Sequence, residues 1–190
     1  MTAAASARLT GSESAGLIVH TIGHSTHAIG EFIALLSSAS VERIVDVRAL
    51  PRSRTNPQFN TEVLCDSLAT AAVKYLHLPA LGGRRGRQRT ASRANLLWRN
   101  QAFRNFADYA LSDAFLVGLE ELKALAASER CAIMCAEALW WRCHRRIIAD
   151  YLIADGIAVA HIMGPGKIEP GTLTPGARTL PDGRLSYEIS

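Results

Sequence analysis

The chain has 190 residues, 48% of them hydrophobic, which suits one compact domain with a substantial core. It has no apolar run long enough to span a bilayer, and its first sixteen residues lack the continuous apolar segment of a secretory signal. We therefore expect a cytoplasmic protein with no membrane partner. Residues 1–16 are predicted to be a disordered segment, and residues 17–190 a single domain.

The predicted elements alternate along the chain. A strand at residues 17–22 leads through a turn into a helix at 29–38, where Ser25 or Thr26 is expected to be the N-cap, and a second strand follows at 43–47. The next helix begins after Asn60 as N-cap and runs to about residue 72, before a third strand at 73–77. A Gly- and Arg-rich loop then leads to two helices near residues 102–111 and 114–127, the second with Asp113 as a candidate cap.

The fourth strand is predicted at residues 131–135, its helix at 143–154 with Gly156 at the end, and the fifth strand at 158–161. Beyond residue 164, Gly and Pro are frequent and turns are expected, one of them at Asp182-Gly183. Alternating strands and helices predict an α/β fold, with a mostly parallel sheet flanked by helices in three layers.

Polar side chains follow every predicted strand. Because ligands in such folds bind beyond the carboxyl ends of the strands, these residues are candidates for a site. They are His24 and Ser25 after the first strand, Asp46 and Arg48 at the second, His77 at the third, Cys135 and Glu137 at the fourth, and His161 at the fifth. The strand order is not known from the sequence, so these positions need not all be adjacent.

Cys143 stands between Arg142 and the pair His144 and Arg145, near the start of a predicted helix. Positive neighbours and a helix N-terminus lower a thiol pKa, which suits a nucleophile or a metal thiolate. Cys135, Cys143 and a histidine would also suit zinc, although their eight-residue spacing is not that of a standard knuckle. A metal ion is therefore a candidate cofactor, and an inert packing role for Cys143 is the alternative.

The remaining cysteines, Cys65 and Cys131, lie in apolar surroundings and are expected to be buried packing residues without a chemical role. Four cysteines in a chain of this size and compartment do not require disulfides.

The candidate roles divide into three groups. His24, Glu137 and His144 are candidate acid/base groups or metal ligands beside Cys143, and Ser25 and Asp46 are supporting residues. The candidate phosphate-binding residues are Arg48, Arg84, Arg85 and Arg145. For some of these residues the alternative is a purely structural role: an Asp46–Arg48 ion pair, histidines at 77 and 161 that belong to the core, and a solvated basic loop from residue 84 to 99. Trp140 and Trp141 either cover the sheet edge or stack on a base.

Several separate segments, covering residue 17 to the C-terminus, resemble the DUF488 family, whose function is unknown. They are TIGHS at 21–25, VDVR at 45–48, SRTNPQFN at 53–60, YLHL at 75–78, LGGRR at 81–85, WRN at 98–100, ADY at 107–109, CAE at 135–137, CHR at 143–145 and GPGK at 164–167. The resemblance implies an α/β fold and a shared polar site, without a reaction or cofactor. Gly171 stands where such relatives often carry His, so the C-terminal tail is left out of the site.

Three functions are compatible with these residues. The first is an enzyme that acts on a nucleotide or nucleic-acid phosphate, although the chain has no P-loop or dinucleotide fingerprint. The second is a non-catalytic nucleic-acid-binding protein, supported by the Arg-rich loop but not by a net charge of only +4. The third is a thiol redox or sensor protein that uses Cys135 and Cys143. The oligomeric state is not determined by the sequence.

Overall fold

The computed structural model, which describes residues 16–88 and 95–188, confirms the α/β fold. Its main sheet has six strands in the order β3-β2-β4-β1-β5-β6, and only β6 is antiparallel to its neighbour. Most of the segment expected to be disordered, residues 1–15, lies outside the described residues. The strands are β1 Ile18–Gly23, β2 Arg43–Asp46, β3 Lys74–His77, β4 Cys131–Cys135, β5 Ala158–Gly164 and β6 Lys167–Pro170.

Five helices cover the two faces of this sheet. Side chains alternate between the faces, so that on β4 Cys131 and Ile133 pack on one side while Ala132 and Met134 pack on the other. The first two helices bury their apolar residues on the second of these faces, and the last three on the first. No helix in the described part of the chain is long and apolar enough to cross a membrane. The helices are α1 Ile29–Ser38, α2 Thr61–Thr70, α3 Gln101–Ala110, α4 Asp113–Ala126 and α5 Arg145–Ala154.

The C-terminal region contains strands that the sequence did not indicate. β5 continues three residues beyond its predicted end, β6 follows it, and a hairpin forms from β7 (Ala177–Thr179) and β8 (Leu185–Tyr187). These late strands have only three or four residues each, too few for an alternating pattern to be recognised. The Tyr187 hydroxyl donates to the fully buried carboxylate of Asp150 on α5, which attaches the hairpin to the domain.

Two predicted helix caps are wrong. α1 is preceded by Ala28 rather than Ser25 or Thr26, because Ser25 adopts a left-handed conformation (φ 45°) and the chain needs three more residues before it enters the helix. Ser112, not Asp113, caps α4, since its hydroxyl accepts a hydrogen bond from the Phe115 amide.

The strand order places a crevice at the middle of the sheet. β4 lies between β1 and β2, and the helices that follow β1 and β2 pack on one face while α5, which follows β4, packs on the other. Because the chain leaves neighbouring strands in opposite directions, their carboxyl ends are separated by an open space, the usual position of a ligand in this class of fold.

Gly23, the last residue of β1, gives the first test of this arrangement. A Cβ there would overlap the Glu137 carbonyl oxygen and lie 2.7 Å from the Ala138 Cα, both backbone atoms that cannot swing away. We expect Gly23→Ala to lower the free energy of unfolding by at least the roughly 1–3 kcal/mol typical of overpacked sites. Urea denaturation measures the change.

Gly30→Ala is the matched control, because a Cβ at this helical position meets no atom within 4 Å. Added helix propensity should make that variant more stable, by up to about 1 kcal/mol. A Gly23→Ala variant as stable as the control would show that the β1 end and the loop after β4 are not packed as described.

Candidate functional site

A cleft of about 770 Å³ opens at the carboxyl ends of β1, β2 and β4. This volume is in the range of pockets that hold small molecules. The structure brings most of the predicted site residues to it. Those that line the cleft are His24, Ser25, Arg48, Arg84, Cys135, Glu137, Cys143 and His144, while Asp46 lies fully buried behind Arg48.

The floor of the cleft is formed by two thiols and an imidazole. Cys135 ends β4, Cys143 lies two residues before α5, and His144 is the N-cap of that helix, so α5 begins two residues later than predicted. The His144 Nδ1 atom lies 3.5 Å from Cys143 Sγ and 3.9 Å from Cys135 Sγ. The His144 Nε2 atom lies 3.0 Å from the Val47 carbonyl oxygen and donates to it, which turns the Nδ1 side of the ring toward the thiols.

Cys143 is the thiol best suited to ionise. Burial opposes ionisation, since only 4% of the residue is exposed, but the S–H of Cys135, the His144 ring and the Arg145 guanidinium hold the pKa of Cys143 well below its usual range. Donation to Cys143, together with burial, raises the pKa of Cys135. The pair is therefore a thiolate at Cys143 and a thiol at Cys135.

Arg145 supports this thiolate from inside the protein. Its Nε donates to Cys143 Sγ over 3.3 Å, and its terminal nitrogens donate to Thr21 Oγ1 and to the Glu137 and Ala138 carbonyl oxygens. The residue is only 1% exposed. Arg145 is predicted from the sequence to hold phosphate, but in the structure its guanidinium donates to protein atoms.

A second buried network fixes His24. The Asp46 carboxylate receives the Nε and Nη2 donors of Arg48 at 2.6–3.0 Å and the Tyr75 hydroxyl at 2.8 Å. The Arg48 Nη1 atom lies 3.3 Å from His24 Nε2, while His24 Nδ1 donates to the Ser25 carbonyl oxygen over 3.0 Å. The ring stacks on Phe59 with 4.2 Å between centroids.

This environment keeps His24 neutral. Burial, together with the neighbouring Arg48, lowers the pKa of His24 to about 4 and outweighs the hydrogen bond to Ser25, which raises it. At neutral pH the imidazole therefore accepts a hydrogen bond from Arg48 and carries no charge.

Three other predicted residues have roles inside the protein. Arg85 places its guanidinium 3.7 Å from the centre of the Tyr109 ring and donates to the carbonyl oxygens of residues 79, 80 and 82. His77 Nε2 donates to the Arg48 carbonyl oxygen. His161 is buried away from the cleft, bonded to Thr21 and stacked on Trp140 at 4.2 Å. Arg89, which belongs to the Gly- and Arg-rich loop predicted from the sequence, lies outside the described residues.

Two charged cleft residues were not predicted. Arg52 and Arg142 line the cleft with Arg84, and all three are exposed, with guanidiniums that make no hydrogen bond or ion pair within the described part of the chain. Their only signal in the sequence was charge, because Arg52 lies in a polar loop and Arg142 was considered only as a neighbour of Cys143.

The comparison with protein families agrees with this architecture. Residues 28–152 match the family described as "Domain of unknown function DUF488". That span covers more than half of the chain and includes the end of β2, both thiols and His144. The chain belongs to the DUF488 family. No match was found among curated proteins or among solved structures.

The thiolate assignment can be tested by alkylation of chelator-treated protein. Because the pKa of Cys143 is lowered, its reaction with iodoacetamide should change little between pH 9 and 7. Burial and nearby carboxylates raise the pKa of the partly exposed Cys65, so its reaction should slow about tenfold for each pH unit. Labelling of each cysteine is followed by mass spectrometry. A Cys143 that reacts only at high pH would show that it is not a thiolate.

The neutrality of His24 predicts how stability depends on pH. The unfolded chain takes up a proton below pH 6.5, whereas folded His24 does so only near pH 4, so stability is lost as pH falls through this window. The contribution approaches about 1.4 kcal/mol per pH unit. Burial and Arg145 also lower the pKa of His161 to about 4, so its contribution is similar.

His24→Asn, which keeps an N–H donor near the Ser25 carbonyl, should remove about half of the loss due to these two histidines between pH 6.5 and 4. Urea titrations at several pH values measure the slope. An unchanged slope would mean that His24 is not held neutral.

Proposed function

We propose that the protein is an enzyme that binds a nucleotide, or another phosphate-bearing substrate of similar size, in the cleft between the ends of β1, β2 and β4. The observation that carries the proposal is that three exposed guanidiniums without a partner among the described residues, those of Arg52, Arg84 and Arg142, share the cleft with a floor made of Cys135, Cys143 and His144.

The guanidiniums account for the anionic part of the substrate. Arg presents several N–H donors in a planar fork that matches the oxygens of a phosphate. Arg48 and Arg145 are occupied by Asp46, Cys143 and backbone oxygens, so the exposed three have the free donors. A concave site of about 770 Å³ favours a nucleotide over an extended nucleic acid as the bound species.

The floor accounts for the chemistry. Phosphate binding alone would not require two thiols and an oriented imidazole beneath the basic residues. Glu137, an exposed residue at the same cleft, presents a carboxylate whose Oε1 accepts one hydrogen bond from the Leu139 amide. We assign to Glu137 the role of proton acceptor or donor for a substrate held by the arginines, while the neutral His24 helps to shape the wall of the cleft.

Calorimetric titrations with nucleoside mono-, di- and triphosphates, and with the corresponding nucleosides, test substrate binding. A charge-assisted hydrogen bond contributes about 1.5–3 kcal/mol, so the triple variant Arg52→Ala/Arg84→Ala/Arg142→Ala should lose affinity by two orders of magnitude or more. Its remaining binding should depend less on salt, because exposed charges are screened. Phosphorus NMR of the same mixtures detects turnover.

The matched control is Arg130→Ala/Arg178→Ala, which removes two exposed arginines that lie away from the cleft and pair with carboxylates. It should bind nucleotides like the parent protein. Binding that does not require phosphate, or that the triple variant retains in full, would overturn the proposal. Tight binding of nucleic acid without turnover of any nucleotide would instead favour the non-catalytic alternative.

A thiol redox function is the second candidate, and the proximity of Cys135 and Cys143, whose sulfurs lie within 4.8 Å of each other, favours it. Mild peroxide treatment followed by mass spectrometry distinguishes it. A reversible Cys135–Cys143 disulfide in a protein that binds no phosphate ligand would support redox sensing over the enzyme proposed above.

A further inference from the structure

We propose that Cys135, Cys143 and His144 bind a zinc ion whose fourth coordination position opens into the cleft. The three donor atoms lie within 4.8 Å of one another, and all three residues line the cleft. Two cysteines and one histidine with an open fourth position form a donor set that catalytic zinc sites use.

The spacing of the donors matches a tetrahedral ion. With Zn–S near 2.3 Å and Zn–N near 2.0–2.1 Å, the ligand atoms of such a site lie about 3.5–3.8 Å apart. The observed distances from His144 Nδ1 to the Cys143 and Cys135 sulfurs are 3.5 and 3.9 Å, and the two sulfurs lie within 4.8 Å of each other. Binding would therefore change the nitrogen–sulfur distances little and bring the two sulfurs closer by at most about 1 Å.

The histidine is oriented as a metal ligand. Its Nε2–H donates to the Val47 carbonyl oxygen, at the end of the neighbouring strand β2. Such a bond from the second ring nitrogen fixes the tautomer and directs the first nitrogen toward the ion. Gly83 lies against the Nδ1 edge of the ring and leaves room for it, because a Cβ at this position would overlap the ring.

The surrounding charges also suit a thiolate-bound ion. Arg145 donates to Cys143 Sγ and is almost completely buried, yet it forms no ion pair with a carboxylate among the described residues. This donation favours the thiolate form of Cys143, which is the form that binds a metal ion. An N–H···S bond of this kind belongs to the outer shell that tunes a metal ligand.

The cleft side of the cluster has room for one more ligand. Glu137 lines the same space, so water or a substrate oxygen at the fourth position would lie near an exposed carboxylate. A zinc ion in this place would supply a Lewis acid beneath the bound phosphate. That catalytic role rests on the proposed function, whereas metal binding itself does not.

The test uses the full chain, purified under reducing, anaerobic conditions and dialysed against a chelator. After zinc is restored and excess ion removed, elemental analysis should find one zinc per chain. Replacement by Co²⁺ should give the intense charge-transfer absorption of a thiolate-bound ion, with the visible bands of tetrahedral coordination.

Loss of an outer-shell partner weakens metal affinity by roughly 10–100-fold. Cys135→Ser and His144→Ala change a ligand itself, so each should weaken zinc affinity by more than that. Cys65→Ser, at a partly exposed thiol on α2, is the control and should retain one ion. Circular dichroism checks that each variant is folded. Folded parent protein that takes up neither ion, or a folded Cys135→Ser variant that binds zinc like the control, would overturn the proposal.

The arginine variants separate this inference from the proposed function. Arg52→Ala/Arg84→Ala/Arg142→Ala should still bind one zinc ion while losing nucleotide affinity. Nucleotide binding with no metal uptake would refute the zinc site and leave the enzyme proposal in place. Metal uptake without phosphate-dependent binding would refute the enzyme proposal and leave the zinc site.

Discussion

The buried guanidinium of Arg145 is the interaction on which the cleft depends. From the start of α5 it reaches Thr21 on β1, the carbonyl oxygens of Glu137 and Ala138 after β4, and the sulfur of Cys143. This one side chain therefore fixes the positions of β1, the loop after β4 and the Cys143 sulfur relative to one another. Because a cation removed from water is costly unless it is paired, the same side chain favours a negative charge on that sulfur.

A second buried guanidinium has a different effect. Arg48 is fully paired with Asp46, which also accepts a hydrogen bond from Tyr75, and its remaining donors contact His24 and the Phe59 carbonyl oxygen. This network needs no ligand to be complete. Its consequence for the cleft is indirect, since it fixes the ring of His24 and keeps it uncharged.

The six arginines at or near the cleft are thus of two kinds. Arg48, Arg85 and Arg145 have protein partners and act as parts of the scaffold, whereas Arg52, Arg84 and Arg142 are exposed at the cleft. The scaffold is built on strand ends and the start of α5. The proposed function rests on this combination of a preorganised floor and exposed guanidiniums at the same cleft.

The fold class, the helices and parallel strands through β5, and the residues at the strand ends were all predictable from the order of amino acids alone. The reason is that hydrophobic periodicity and Gly and Pro positions are local signals. The sequence did not show that β4 lies between β1 and β2, which brings His24, Arg48 and Cys135 to one cleft.

Which of the arginines are enclosed and which are exposed was also not predictable before the fold was known. Arg145 and Arg84 are equally basic in the sequence, but one is enclosed by carbonyl oxygens and a thiol while the other reaches solvent. The short strands β6 to β8 form local hairpins, β6 with β5 and β7 with β8, and the second hairpin is held against α5 by the hydrogen bond from Tyr187 to Asp150. Burial and desolvation depend on contacts between residues far apart in the chain, so no local pattern could reveal them.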